Sequence, residues 1–390
     1  MLTLIKNAEV YTPHYLGKKD VLFGGEKIIA IEENITLHHD TLVNLVDGTG
    51  FILTPGFVDA LVHFIGGGGE AGFASRTPEM HLTDATLNGI TTVVGALGTD
   101  DISRTHADLV AKAKGLKQEG LNAFCHTGSY HLPIKTLTDS ISKDIMFIDE
   151  IIGVGEVAIA DHRGRQITAQ QLAEVTAESR TAGLLSGKRG TVSIHVGSGD
   201  TQLTLLHEVA QTTELPLDMF YPTHMNRNSE LLMAGIEFCV AGGTIDFTTS
   251  TTDYDLAHGE LAAAEALAYC LEKGVADSQL TMSSDGHASL PIYDAHNNLI
   301  GFEVGQESSL LHAFQQAVLE FNVPLEQALM AITQNPAHIL GLAKGKIKVA
   351  GDADLVLLRK EDLAVHSVWS NGRMMVEEQN IITHGFFAKA

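Results

Sequence analysis

Positive charge is scarce in this chain: 25 lysines and arginines stand against 48 aspartates and glutamates, a formal net charge of −23 over 390 residues. Such a surface repels nucleic acid and anionic membrane, so the expected partners are small molecules, metal cations or further copies of the chain. Cysteine is scarce as well. Cys125, Cys239 and Cys270 are too scattered for a disulfide framework or a C-x-x-C pair, which fits a reducing compartment and leaves them as small buried hydrophobes. No apolar run approaches the roughly eighteen residues of a spanning helix. The opening MLTLIKNAEVYTPHYLG has neither a long apolar core nor a small-residue cleavage site, so a cytoplasmic protein is expected. Short-period repeats and low-complexity tracts are missing too, which excludes a solenoid.

What is present is a globular composition, with 44% hydrophobic residues and 38 glycines. The early runs LTLIKNAEVYT, DVLFGGEKIIAIEE and NLVDGTGFILTPG alternate β-rich stretches with turns and predict an antiparallel sheet. The pattern returns in GDADLVLLRK and VHSVWSNGRMMVEEQ, so 1–55 and 345–390 are expected to build one small β-sandwich-like domain from both termini, with 56–344 inserted between them. Within the insert, eight short apolar runs alternate with amphipathic stretches: FVDALVHF, TTVVGAL, NAFCHTGSY, IGVGEVAIA, TVSIHVG, MFYPTH, GTIDFTTS and LTMSSDG. Eight βα units close into a (β/α)8 TIM barrel, an α/β fold whose active site lies at the C-terminal strand ends. His63, Tyr130, Glu156, His195, His224 and Asp285 each fall within or at the end of a different predicted strand.

Nineteen histidines are too many to be ligands together, and most, such as His38, His39, His106 and His366, read as solvated or hydrogen-bonded structural residues. His195 and His224 each follow an apolar strand, where two imidazoles can meet on one zinc ion. Asp285 closes the last strand, where a carboxylate can bind metal and take a proton from water. Arg163 and Arg227 are natural forks for carboxylates in so acidic a protein, and Glu70 suits an ammonium group. The glycines before Glu70 would let that loop bend over a ligand. Two carboxylate clamps and an ammonium acceptor describe a small dipeptide-like zwitterion carrying an extra acid, as a β-linked aspartyl dipeptide does.

TPGFVDALVHF, SIHVG, THMNRN, SSDG and GDADLVLL together resemble the amidohydrolase superfamily. IGGGGEAG, GTDDISR, TGSYHLP, DHR, PTHMNRN and SSDG, in this order, resemble its isoaspartyl (β-aspartyl) dipeptidases over nearly the whole chain. The resemblance implies a homo-oligomer, as large as an octamer, that hydrolyses the β-aspartyl amide bond of dipeptides with zinc-activated water. It implies two zinc ions held by a His-x-His pair, two later histidines, an aspartate and a bridging carboxylate. Carried over, the metal ligands are His63, Glu156, His195, His224 and Asp285. Glu156 falls where the family often has a carboxylated lysine, and no lysine occurs between Lys143 and Lys188. Glu70 would hold the substrate amino group, Arg163 and Arg227 its carboxylates, and Thr99 and Ser289 further contacts. Tyr130 would polarise the scissile carbonyl, and Asp285 would pass the proton to the departing amine.

One position departs from that pattern. Leu61 stands where the His-x-His pair has its first histidine, on the same strand face as His63. The expectation is one firmly held zinc at Glu156, His195 and His224, and a second site that is weak, empty or rescued by another group. His287 is the nearest substitute, although it reads more naturally as a surface loop residue. Two other functions stay open: an amidohydrolase acting on a cyclic or N-acyl amide, and a ligand-binding homologue impaired by Leu61.

Overall fold

The computed structural model describes residues 2–37, 42–294, 296 and 298–387, so His38 and His39 lie outside the described residues. Five strands come first: β1 (Leu2–Tyr11), β2 (Tyr15–Gly24), β3 (Lys27–Glu32), β4 (Val43–Asp47) and β5 (Phe51–Pro55). The expected antiparallel sheet proves to be mixed. β2 runs antiparallel to β1 and β3 to β2, but β4 and β5 lie parallel to β1. Once β2 has taken one edge of β1, the chain reaches the other edge by a crossover, and a crossover delivers a parallel strand where a hairpin cannot.

Eight strands of the insert follow: β6 (Phe57–Val62), β7 (Ile90–Gly95), β8 (Asn122–Thr127), β9 (Ile151–Ile159), β10 (Thr191–Val196), β11 (Phe220–Thr223), β12 (Ile245–Thr248) and β13 (Leu280–Ser283). β6 to β11 form one parallel sheet in chain order and β12 pairs parallel with β13. A parallel bridge from Val62 to Gly286 brings the end of β13 back to β6, the closure of a (β/α)8 barrel. The strands are apolar on both faces because both are covered. In β8, Ala123 and Cys125 join the core that includes the helix His106–Glu119, whereas Phe124 packs with Val94, Ile152 and Tyr221.

Local chemistry sets the helices between them. Thr105 caps the helix His106–Glu119 by accepting the Asp108 N–H, and Gly120 ends it at φ 111. Thr168 and Gln171 form a capping box at the start of the helix Ala169–Ser186. All three cysteines are buried and unpaired. Among the described residues no helix is long and apolar enough to cross a membrane.

A hairpin that the sequence pattern did not announce, β14 (Ser289–Tyr293) and β15 (Leu299–Val304), follows β13. The chain then returns to the first sheet with β16 (Leu355–Arg359), β17 (Val365–Ser370), β18 (Arg373–Glu377) and β19 (Asn380–Ile381). β16 pairs antiparallel with β5, which joins the two ends of the chain in one nine-stranded sheet. The run Leu355–Leu358 is buried on both faces: Leu355 and Leu357 pack with Phe23 and Trp369, while Val356 and Leu358 join the barrel core.

Candidate active site

Ten of the eleven residues singled out from the sequence line one cavity of about 440 Å³: His63, Glu70, Thr99, Tyr130, Arg163, His195, His224, Arg227, Asp285 and Ser289. The eleventh, Glu156, is fully buried on β9. Its Oε1 lies 3.3 Å from His195 Nδ1 and 3.2 Å from His224 Nε2. Burial alone would raise the Glu156 carboxyl, but the hydrogen bonds from the two histidines hold it well below the usual carboxylate range.

Each imidazole is aimed by the partner of its other nitrogen. His195 Nε2 donates to Asp161 Oδ2 at 2.9 Å, which leaves Nδ1 facing Glu156 and the Tyr130 hydroxyl, the latter 2.7 Å away. His224 Nδ1 meets Thr248 Oγ1 at 2.5 Å and turns Nε2 to Glu156. His63 Nδ1 donates to the Ala96 carbonyl at 3.1 Å, so Nε2 faces Asp285 Oδ1 at 3.2 Å. Burial resists charge on His63, but Asp285 and Glu156 outweigh it and push the imidazole up to about 9.

These residues fit a metal ion. Glu156, His195 and His224 offer ligand atoms within 4.8 Å of one another. Tetrahedral ligands about 2.1 Å from a zinc ion stand roughly 3.4 Å apart, close to the spacing of Glu156 from each histidine. Glu156 Oε2 is buried without a hydrogen-bond partner, and Asp285 Oδ1 has the His63 imidazole at 3.2 Å but makes no well-aligned hydrogen bond, a state that buried polar atoms avoid unless a ligand satisfies them. Leu61 brings no such atom: its side chain is buried outside the cavity lining, and its carbonyl accepts the Asp285 N–H at 3.1 Å.

The backbone at these strand ends is constrained. His224 and Asp285 hold φ of 65 and 53, a left-handed conformation that non-glycine residues rarely adopt outside functional turns. Asn226 steadies the first turn by donating to the carbonyls of Thr248 and Leu261, and Asn228 caps the next helix. Asp59 steadies the second by accepting the Ser284 N–H at 2.9 Å. In the glycine loop the need is steric: at Gly66 (φ 80) a Cβ would meet the Thr77 carbonyl oxygen at 2.3 Å, and at Gly68 (φ 66) the Ser75 oxygen at 2.6 Å.

At the cavity mouth, Arg163 is clamped by Asp161 through Nε (3.0 Å) and Nη2 (2.7 Å), with Nη1 3.5 Å from Glu70. Thr99 donates to Glu70 at 2.8 Å. Burial opposes charge on Asp161, but its bonds from His195 and Arg163 hold the carboxyl far below its ordinary value. Arg227 Nε and Ser289 Oγ are buried without partners.

Several contributors were not visible in the sequence reading. Asp161, Asn226, Asp59 and Thr248 act through partners distant along the chain, and the hairpin brings Leu290, Tyr293 and Phe302 to the cavity. His126, fully buried on β8, has neither ring nitrogen hydrogen-bonded, and burial pushes it down to about 4. His287 is neither a rescuing ligand nor a surface residue: it is buried outside the cavity lining, with Nδ1 donating to the Pro78 carbonyl at 3.0 Å. The turn from Asp285 reverses through left-handed backbone, so residues two apart do not share a face there. His106 and His366 are hydrogen-bonded, to Gly128 and Ser367 respectively.

Comparison with known proteins agrees with this architecture. Residues 52–375 match the model of the amidohydrolase family. The crystal structure of a β-aspartyl dipeptidase from Fervidobacterium islandicum AW-1, in complex with the β-Asp-Leu dipeptide, is 41% identical in sequence. It superposes with a TM-score of 0.91, over 99% of this chain and 100% of that one. A dihydroorotase of Lactobacillus johnsonii is 22% identical over 92% of this chain and 89% of its own length. N-acetylglucosamine-6-phosphate deacetylase from Pasteurella multocida, 17% identical over 96% of this chain and 99% of that one with a TM-score of 0.65, shares the fold.

Proposed function

This chain belongs to the amidohydrolase family, and on that premise we propose that it hydrolyses the β-aspartyl amide bond of dipeptides, with zinc held at Glu156, His195 and His224. The observation that carries the reading is a set of four buried polar atoms that make no hydrogen bond: Asp285 Oδ1, Arg227 Nε and Ser289 Oγ on residues that line the cavity, and Glu156 Oε2 in the adjoining His195–His224 cluster. Buried polar atoms are nearly always paired, so this set suits a polar, charged ligand. A β-aspartyl dipeptide brings one ammonium and two carboxylates, which match Glu70, Arg163 and Arg227, with Thr99 and Ser289 beside them. The Fervidobacterium islandicum enzyme, solved with β-Asp-Leu, supports the same substrate class.

When bound, the metal supplies a Lewis acid that activates water and polarises the scissile carbonyl. The protein's own groups then position and move protons. Burial keeps the proton on the Tyr130 hydroxyl, so it can donate to the carbonyl oxygen as negative charge gathers there. Asp285 takes the proton that water loses as its oxygen bonds to carbon, and delivers it to the nitrogen as the C–N bond breaks. Asp161 holds Arg163 and His195 in register, so the carboxylate clamp and the metal cluster share one anchor. The second metal position, with His63, Glu156 and Asp285, lacks a nitrogen at Leu61 and is the weaker. The reading includes a cytoplasmic homo-oligomer, for which the acidic surface and unpaired buried cysteines are the support.

The likeness to dihydroorotase favours a second reading, hydrolysis of a cyclic amide. Zinc analysis, combined with steady-state kinetics on β-Asp-Leu, α-Asp-Leu, dihydroorotate and an N-acetyl amino acid, separates the two. Turnover of β-Asp-Leu alone, with one to two zinc ions per chain, is the expected result. Turnover of dihydroorotate without β-Asp-Leu would overturn the proposal, and metal-free protein that binds β-Asp-Leu without turnover would make this a ligand-binding homologue.

A further inference from the structure

We propose that Asp84, His287 and Glu307 form a separate cation site, which takes a divalent ion of the zinc class and pins the turn that carries Asp285. The three residues come from distant parts of the chain. Asp84 lies in the short helix Leu82–Thr86, His287 in the turn after β13, and Glu307 directly before the helix Ser308–Leu319. Their ligand atoms all fall within 4.8 Å of one another. The site is independent of the substrate reading, and none of the three residues lines the catalytic cavity.

The distances favour a shared ion over direct hydrogen bonds. His287 Nε2 stands 3.5 Å from Asp84 Oδ2 and 3.6 Å from Glu307 Oε1. Good N–H···O bonds are shorter, about 2.7–3.2 Å, whereas ligands of one zinc ion stand roughly 3.4 Å apart. His287 is also oriented as a ligand. Its Nδ1 donates to the Pro78 carbonyl at 3.0 Å, so the lone pair of the neutral ring sits on Nε2 and faces the two carboxylates.

Glu307 supplies the independent sign of a ligand. It is 1% exposed, and its Oε1, the atom nearest His287, has no hydrogen-bond partner. It does not cap the helix it precedes, so its carboxylate is free for another use. Asp84 is held in place because its Oδ2 accepts the His81 N–H at 2.7 Å in a capping box. Its side chain is 34% exposed, which leaves a path for the ion and room for water as a fourth ligand. In the deprotonated form that ligation requires, two carboxylates and one imidazole would carry two negative charges, matched by a divalent cation.

The consequence reaches the active site through the backbone. Asp285 and His287 hold φ of 53 and 61, and the Glu307 carboxylate packs directly on Gly286 between them, where a Cβ would lie 2.4 Å from Oε1. An ion that ties His287 to two flanking helices holds this left-handed turn, and with it the carboxylate of Asp285.

The test uses the full chain, stripped by chelation and reloaded with zinc. Zinc per chain is measured for the wild type, Asp84→Asn and Glu307→Gln, and an anomalous difference map at the zinc edge is collected from wild-type crystals. The expected result is an anomalous peak among the three side chains, and one equivalent fewer in each variant through an affinity loss of at least ~10-fold. Zinc at the Glu156 cluster alone, with equal stoichiometry in the wild type and Asp84→Asn, would overturn the proposal and leave an imidazolium between two carboxylates. If Glu307→Gln fails to fold, Asp84→Asn and the wild-type map still decide.

Discussion

Replacing Asp161 with asparagine asks how far one carboxylate organises both halves of the cavity. Its Oδ2 accepts from His195 Nε2 at 2.9 Å and from Arg163 Nη2 at 2.7 Å, and its Oδ1 accepts the Arg163 N–H at 2.8 Å and Nε at 3.0 Å. Its side chain is 5% exposed, so water does not replace what is lost. Asparagine keeps the shape but puts an NH2 donor where an oxygen was, against the imidazole or the guanidinium. A hydrogen bond to a charged group contributes ~1.5–3 kcal/mol. Arg163 is itself 30% exposed, which argues for the lower part of that range, about 2 kcal/mol of stability. The local effects are of the same order. Loss of the carboxylate behind His195 should weaken zinc ~10–100-fold. A loosened Arg163 clamp should raise KM for β-Asp-Leu ~10-fold, about 1.4 kcal/mol of binding. Zinc affinity is read by competition with a chromogenic chelator, and KM by kinetics at saturating zinc. Wild-type zinc affinity in Asp161→Asn would refute the claim that this carboxylate aims His195. Wild-type KM would refute its hold on Arg163.

Three further outcomes are expected. Leu61→His restores an imidazole beside His63 and should raise zinc toward two per chain, and an unchanged count would show that Leu61 does not limit the second position. Asp59→Asn tests a pH dependence. Burial pushes the Asp59 carboxyl up to about 8 despite the hydrogen bonds from Ser284, so the folded chain keeps a proton that the unfolded chain releases near about 4. That contribution to stability is complete below the lower value and lost as pH rises through the upper one. Urea midpoints should therefore fall less between pH 5 and 8 in Asp59→Asn than in the wild type, and parallel curves would refute the assignment. Lys188→Met removes an ammonium that donates to the carbonyls of Ile145, Ile148 and Ile151 at 2.7 Å each. A loss of about 3 kcal/mol is expected from three charge-assisted bonds, and a loss below about 1 kcal/mol by chemical denaturation would contradict it.

The barrel was legible because its signals are local. Apolar runs of strand length such as TVSIHV and TTVVG alternate with helical stretches whose caps, Thr105 and Gly120 among them, lie a few residues from the groups they satisfy. The strand-end polar residues were legible for the same reason, since a histidine closing an apolar run stands out in a short window. The mixed character of the first sheet was not, because the choice of edge on β1 depends on strands more than thirty residues away. Asp161 was passed over because its partner His195 is 34 residues on. His287 was misread because the left-handed turn at Asp285 breaks the alternation that places neighbours on a face.

By itself the amino-acid order determined which chemistry the chain carries: an acidic, cysteine-poor α/β protein with histidines, carboxylates and arginines at successive strand ends, and a leucine two residues before His63 on the same strand. Only the tertiary structure decided which of those groups are already satisfied and which are left over. Asp161 spends its charge on His195 and Arg163, while Glu156 Oε2, Asp285 Oδ1 and Glu307 Oε1 make no hydrogen bond. Hydrogen-bond saturation is a property of packing between distant segments, so no pattern along the chain can report it.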